Sequence, residues 1–497
     1  MARTGGDMRK LLAGVCALVL AQTVVTGQGA TATLDAAAKA MGITNVTSIY
    51  YSGSGSSYNL GQAVNASLPW PRFVLNNYIA DINYAVPMMR QEMNRTNPDG
   101  SAPFGGVRQI QLVSGTSAWN IGGNDAVAPA PANVAERQVQ IWLTPPGFIK
   151  AAQANRATVR TQGANKIVTF TTATRHRFTG TINANNLLER IETTLDNPVL
   201  GDMPVEVTFS NYQSFGDVRF PTTIVQKQGG HPMLELTVSR VFPNVAAGID
   251  VPAAVRGAQP PPVQVQSQKL AEGVWYLTGG THHSVVVEFA DHLAVVEGPL
   301  DETRSSAVIA EARKLVPAKP IRYVVNTHTH FDHSGGLRTF VAEGVTVVTA
   351  ASNKAYFEKS FAALKALNPD KLAQVRRTAT VEGIGGRRVL TDATRTLELH
   401  VVPIAGHTDE MIVAYLPKEK ILIEADAYTP AAAPAPGARG AAAPPAAAGR
   451  GAPPPPNPFT IELYNHVQRL QLDVAQIAAL HGPRVATLAD LRTAAGR

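Results

Sequence analysis

Between Thr327 and Gly336 the chain reads Thr-His-Thr-His-Phe-Asp-His-Ser-Gly-Gly. His328, His330, Asp332 and His333 place four metal-capable side chains within six positions. Imidazole and carboxylate are the ligands that a borderline divalent ion such as zinc takes. In an extended segment, residues two apart face the same side, so His328 and His330 can grip one ion together. Asp332 and His333 lie past the point where the chain bends and can reach a second ion. Ions about 3.5–4 Å apart are a common hydrolytic device. A lone His-x-His would read as readily as a histidine-rich surface loop. The full six-residue pattern behind an apolar run argues for a metal loop.

The elements around the pattern must hold it still. Ile321-Arg322-Tyr323-Val324-Val325 reads as a buried strand leading into the loop. Gly335-Gly336 follows and is expected to let the backbone turn sharply. Ligands on a loop at the end of a buried strand sit on a rigid base and stay open to substrate. Three further candidates follow in order. His407, in Gly406-His407-Thr408, comes after the strand-like run from Leu397 to Val402. Asp426 closes Ile421-Leu422-Ile423-Glu424-Ala425, and His481 closes the run from Ala475 to Leu480. Each is weak alone; together, each ending an apolar run, they are strong.

This set of residues, in this order, resembles the metallo-β-lactamase superfamily of hydrolases over about residues 268–495. The resemblance implies a four-layer αββα sandwich with metals at one rim of its two sheets. It also implies two zinc ions, the first on His328, His330 and His407 and the second on Asp332, His333 and His481. Asp426 would bridge them. Some secreted β-lactamases of the superfamily carry Ala-Asp-Ser here, with an aspartate that is not a direct bridge; this chain has Ala425-Asp426-Ala427, so a one-residue slip is the alternative. Glu297 stands where relatives usually carry aspartate, and both a supporting role behind the ligands and a turn role fit it. Cys16 is the only cysteine, which excludes the subclasses whose second zinc takes a thiolate. Zinc lowers the pKa of a bound water to roughly 7, so a metal-bound hydroxide becomes the nucleophile. Asp332 and Asp426 are the candidate catalytic proton carriers. His282 and His283 precede the strand Val285-Val286-Val287; a substrate contact is open for His283, with a turn role preferred. His292, His400 and His466 read as structural.

Composition bounds the rest. The 497 residues exceed one ordinary domain, and 45% apolar content supports packed cores. A net charge of +7, with no long basic run, does not favour nucleic-acid binding. Arg3, Arg9 and Lys10 before the apolar stretch from Leu11 to Val25 read as a secretory signal over residues 1–32, giving a periplasmic or secreted protein. That stretch is short for a membrane span, and no second one is long enough. Residues 33–255 read as a β-rich domain, a curved antiparallel sheet with a helix from Leu34 to Met41. Val205-Glu206-Val207-Thr208-Phe209 and Leu234-Glu235-Leu236-Thr237-Val238 alternate with period two. The segment from Val199 to Val241 resembles, in a few turn and strand features, the half-barrel of periplasmic lipoprotein carriers. Such a sheet could cradle an apolar ligand, dimerise or shield the catalytic mouth. Pro260-Pro261-Pro262 marks a stiff, extended linker at 256–267. The hydrolase domain takes 268–497, with an Ala/Pro/Gly-rich insertion at 430–458 that is expected to be mobile, either a lid or, as preferred, a tolerated surface insertion. Phe459 to Leu470 reads as an amphipathic helix. The fold class is α+β: an αββα sandwich preceded by a β-rich domain.

The functional expectation is a secreted, zinc-dependent hydrolase cleaving an amide, lactam, ester or thioester of a small molecule, with β-lactamase the most testable activity. The alternatives are an envelope binding or carrier module working through the N-terminal sheet, and a phosphodiesterase. An iron oxygenase is a weaker rival. The oligomeric state is left open.

Overall fold

The computed structural model describes residues 24–25, 28–103, 105–245, 248–432 and 455–497. Most of the expected signal segment, and 433–454 of the expected insertion, lie outside the described residues.

The N-terminal half is one antiparallel sheet, fourteen-stranded among the described residues. It is made of two meanders and the short edge strand Val24–Val25, which pairs with Thr158–Gln162. One meander runs from Thr158–Gln162 to His231–Pro243, and the other from Ser48–Tyr58 to Val127–Pro129. They join edge to edge where His231–Pro243 pairs with Ser48–Tyr58. Register shifts interrupt five of these ladders, as between Val238 and Arg240 and between Gly53 and Gly55. Such bulges bend a strand and increase its twist. Three helices, Gln28–Ala40, Val134–Trp142 and Pro145–Ala154, cover one face. The first starts earlier than Leu34, and its buried Leu34, Ala37, Ala38 and Met41 recur at helical spacing against the sheet.

The segment 248–265 holds no strand or helix. Its first part, ahead of the expected linker at 256–267, is docked on the large sheet. Ile249, Val251 and Val255 pack on Ile110, Leu112 and Trp119 of the sheet. Apolar side chains spaced along a loop dock it wherever a complementary face is near; Pro260-Pro261-Pro262, inside the expected linker, are exposed.

The C-terminal half has two sheets. The seven-stranded sheet starts with the hairpins Gln266–Ala271 to Leu293–Val296 and turns parallel at Ile321–Val325, Thr346–Ala350 and Val381–Ile384. The five-stranded sheet runs from Arg387–Thr391 to Gln476–Ala479. Val285 and Val287 face the second sheet, meeting Leu397, Ile412 and Ile423, whereas Val286 faces Val308, Leu337 and Phe340 on the helices. That alternation is what a strand buried on both faces must show. On the far side, Val402, Met411 and Val413 pack against Leu463, Val467 and Leu491 of the helices Pro458–Arg469 and Leu488–Ala494. The layers are therefore helix, sheet, sheet, helix.

The two halves are tied together. Asp202 accepts from the backbone N–H of Ala366 (2.8 Å) and Leu367 (3.1 Å), and its own N–H donates to Leu364 O at 2.7 Å. Lys365 pairs with Asp196, and Ser360 donates to Val199 O. Chain just past the helix Lys354–Ala362 thus docks on a turn of the large sheet.

Candidate metal centre

The strand Ile321–Val325 lies between two parallel neighbours, and its last residues Val324 and Val325 are fully buried. The metal loop leaves its end. Asn326 Nδ2 donates to His328 O at 2.7 Å and Ser334 Oγ to His330 O at 2.8 Å, so side chains brace the loop from both ends. Phe331–Ser334 is a single helical turn that carries Asp332 and His333 away from the extended pair. The glycines that follow do not serve a sharp turn, since Gly335 (φ −63°) and Gly336 (φ −95°) have ordinary dihedrals. They serve close approach. A Cβ on Gly335 would lie 1.9 Å from Leu300 O, and one on Gly336 1.8 Å from Ser305 Oγ.

Tertiary packing gathers distant residues around this loop. One ligand atom each from His328, His330, His407 and Asp426 lie within 4.8 Å of one another. Asp426 Oδ2 stands 3.0 Å from His333 Nε2, 3.3 Å from His407 Nε2 and 3.5 Å from His328 Nε2, so it lies between the two groups of imidazoles. Asp426 itself has φ +64°, a left-handed conformation in which aspartate is among the more tolerant residues. A second group comprises His282, Asp332 and His333. His282 Nε2 is 3.1 Å from Asp332 Oδ2. His481 stands one ring further out, 4.3 Å from His282 and 6.4 Å from His333 between ring centroids.

Supporting groups fix the rings. Glu297 is fully buried under the loop, and its Oε2 accepts from Thr327 Oγ1 at 2.5 Å and lies 3.1 Å from His333 Nδ1. That contact leaves His333 Nε2 for the centre. His283 Nε2 donates to Gly482 O at 2.6 Å and its N–H to Leu480 O, anchoring the segment that carries His481. His292, His400 and His466 bond locally, to Asp291, Glu398 and Pro403 O, away from the centre.

Burial sets the electrostatics. His328 is pushed down to about 4, by burial first and then by the neighbouring His333. Burial likewise holds His330 and His481 below their ordinary value. Burial pushes His333 the same way, but the Asp426 and Glu297 carboxylates outweigh it and raise His333 well above the ordinary range. For Asp332 and Asp426 burial raises the pKa. The His282 hydrogen bond and His333 charge outweigh it at Asp332, as the His333 charge and the ring N–H contacts do at Asp426, and both stay ionised. The lowered His328, His330 and His481 imidazoles beside ionised carboxylates suit a cation, whose binding at His333 would have to displace that ring's proton.

Residues 277–456 match the sequence model of the metallo-β-lactamase superfamily. The C-terminal half carries a metallo-β-lactamase-superfamily domain over those residues. The match takes in the triple-histidine loop, His407 and Asp426 and ends before His481. A search of curated proteins finds no match. Similar solved structures include the metallo-β-lactamase FIM-1 from Pseudomonas aeruginosa in its mono-zinc form, 23% identical, covering 48% of this chain and 96% of that one with a TM-score of 0.34. Another is a metallo-β-lactamase from Pontibacter korlensis, 19% identical, covering 47% and 98% with a TM-score of 0.32. What the metallo-β-lactamase domain here can do is read from its own side chains.

Those side chains fit a metal. His328 Nε2, His330 Nδ1 and Nε2, His333 Nε2 and His407 Nε2 are buried without a well-formed hydrogen bond among the described residues. Each such orphan costs about 1–3 kcal/mol unless something else engages it. Five such nitrogens on four rings of one cluster, three of them facing Asp426, are compatible with a bound cation. His282 is the residue that sequence reasoning passed over. His282 and His283 lie side by side in the turn ahead of the strand Ser284–Glu288, and local pattern could not choose which of them reaches the centre.

Proposed function

We propose that this superfamily hydrolase domain is a dinuclear zinc enzyme that cleaves an amide, lactam, ester or thioester bond of a small molecule outside the cytoplasm. The convergence of the buried His328, His333 and His407 imidazole nitrogens on Asp426 carries this reading. His328, His330 and His407 would hold one ion. Asp332 and His333 would hold the other, with His282 nearest to complete it and His481 next. Asp426 would reach both. Bound zinc ions supply a water acidified to roughly pKa 7 and polarise the scissile carbonyl. Asp332 and Asp426, the carboxylates at the centre, would be the groups to take up a proton from the attacking water and pass it to the leaving group. Glu297 keeps His333 in the tautomer that presents Nε2.

A cavity of about 200 Å³ beside the loop supports a small substrate; Trp70, Leu68, Phe331 and Tyr356 give it apolar walls and Lys359 stands at its edge. No helix among the described residues is long and apolar enough to cross a membrane. The test is metal analysis of the purified chain, followed by assays on nitrocefin, a lactone, a thioester and a phosphodiester. Close to two zinc per chain, with turnover of a carbonyl substrate that a chelator abolishes, is the expected result. A chain that takes up no zinc, or turns over only the phosphodiester, defeats the proposal.

A further inference from the structure

The strands Ser48–Tyr58 and Arg72–Asn83 are hydrogen-bonded neighbours, yet thirteen residues, 59–71, connect them. Two residues suffice for a hairpin, and connections this long are usually functional when they are ordered. This one is ordered. Asn59 N–H closes its base on Pro71 O at 2.9 Å, and Ser67 N–H caps on Asn65 Oδ1 at 3.0 Å.

Its outer part leaves the large sheet and lies on the metal loop of the other half. Gly61 O accepts from Phe331 N–H at 3.2 Å. Gly61 has φ +75°, and a Cβ there would fall 2.3 Å from the Phe331 ring, so only glycine allows this contact. Val64 O accepts from Asp409 N–H at 2.8 Å, and Asn65 Nδ2 donates to Asp409 Oδ2 at 2.6 Å. Asp409 is two residues from His407. The loop therefore touches both banks of the centre. Between these anchors, Gln62 Nε2 donates to Asp332 Oδ1 at 2.8 Å.

That hydrogen bond divides the labour of the Asp332 carboxylate. Oδ1 is engaged by Gln62, while Oδ2 faces His282 Nε2 at 3.1 Å and His333 Nε2 at 3.7 Å. A neutral amide donor orients a carboxylate without cancelling its charge, as an arginine or lysine there would. Groups hydrogen-bonded to metal ligands fix their orientation and basicity, and losing one typically lowers metal affinity or activity about 10–100-fold.

We propose that the metal centre is built by both halves of the chain: the loop 59–71 of the N-terminal sheet is a fixed strap across its rim, and Gln62 is a positioning residue that turns Asp332 Oδ2 toward the second ion. This rests on the two-ion reading above. It gives the N-terminal sheet a direct part in the site.

The test uses the full-length chain and zinc itself, titrated out stepwise with a chromogenic chelator, with thermal melting followed in parallel. Q62E keeps the shape but removes the donor and sets a second carboxylate against Asp332. Q62M fills the same volume without a donor. The expected result is a weaker-held zinc that loosens about 10-fold or more in Q62M and further in Q62E, with the tighter zinc unmoved. In cobalt-loaded protein the absorption bands of the second ion should shift in both variants. If wild type holds two zinc ions and both variants hold them as tightly while melting lower, the strap only docks the halves and the inference falls alone. If wild type takes up no zinc, the two-ion reading falls and takes this inference with it.

Discussion

At the residue scale, the centre depends on which ring nitrogens stay free and on what holds the other nitrogen of each ring. Glu297 was ambiguous in the sequence because a glutamate at a strand end serves turns and supporting roles alike. Its burial against Thr327 and His333 decides for support. E297Q should therefore weaken the second zinc about 10–100-fold and leave the first in place, as read by stepwise chelation. The two outer histidines can be ranked in the same way. H282A is expected to leave about one zinc per chain, and H481A to have the smaller effect; the reverse order in metal analysis would restore the assignment implied by resemblance alone. Acid should separate the two ions. His328 and His330 are depressed, so protons compete little for these two ligands of the first site as pH falls from 7 to 5. His333 is raised, so binding at the second site must displace a proton and weakens as pH falls. Metal content measured after dialysis at pH 7, 6 and 5 should fall from two toward one. Simultaneous loss of both would contradict this order.

At the element scale, the strands were the most legible part. Val285-Val286-Val287 reads as apolar throughout because both of its faces are covered, one by a sheet and one by helices. The helices Gln28–Ala40 and Pro458–Arg469 were visible through spacing, with boundaries off by one to six residues. The Gly335-Gly336 pair was assigned the wrong physical reason, since sequence shows that a Cβ is absent but not what would collide with it. The short helix Leu337–Ala342 that follows depends on a buried ion pair that no local pattern announces. Arg338 bonds Asp370 through Nε (2.5 Å) and Nη2 (3.1 Å), and its Nη1 donates to Ser360 O. R338M leaves Asp370 buried and unpaired. The expected loss is about 3–5 kcal/mol in urea unfolding. A loss below about 1 kcal/mol would mean that Asp370 finds water instead.

At the scale of the whole molecule, the two halves meet at the strap over the metal loop and at the seam where Asp202 receives the backbone of Ala366 and Leu367. D202A removes an acceptor for two N–H groups at a partly exposed seam. It should destabilise the junction by about 1 kcal/mol and broaden or split the calorimetric transition. A single unchanged transition would show that the strap and the remaining seam contacts, Lys365–Asp196 and Ser360 on Val199 O, couple the halves without Asp202. The sequence by itself determined the chemistry: His328, His330, Asp332 and His333 are close along the chain, and backbone geometry alone puts them within reach of cations. Only the tertiary structure decided the rest of the site. Asp332 meets His282 across 50 residues and Gln62 across 270, and separations of that size are set by how three sheets pack, not by any local period. The choice of His282 ahead of His481, and the entry of the N-terminal sheet into the centre, both follow from that packing.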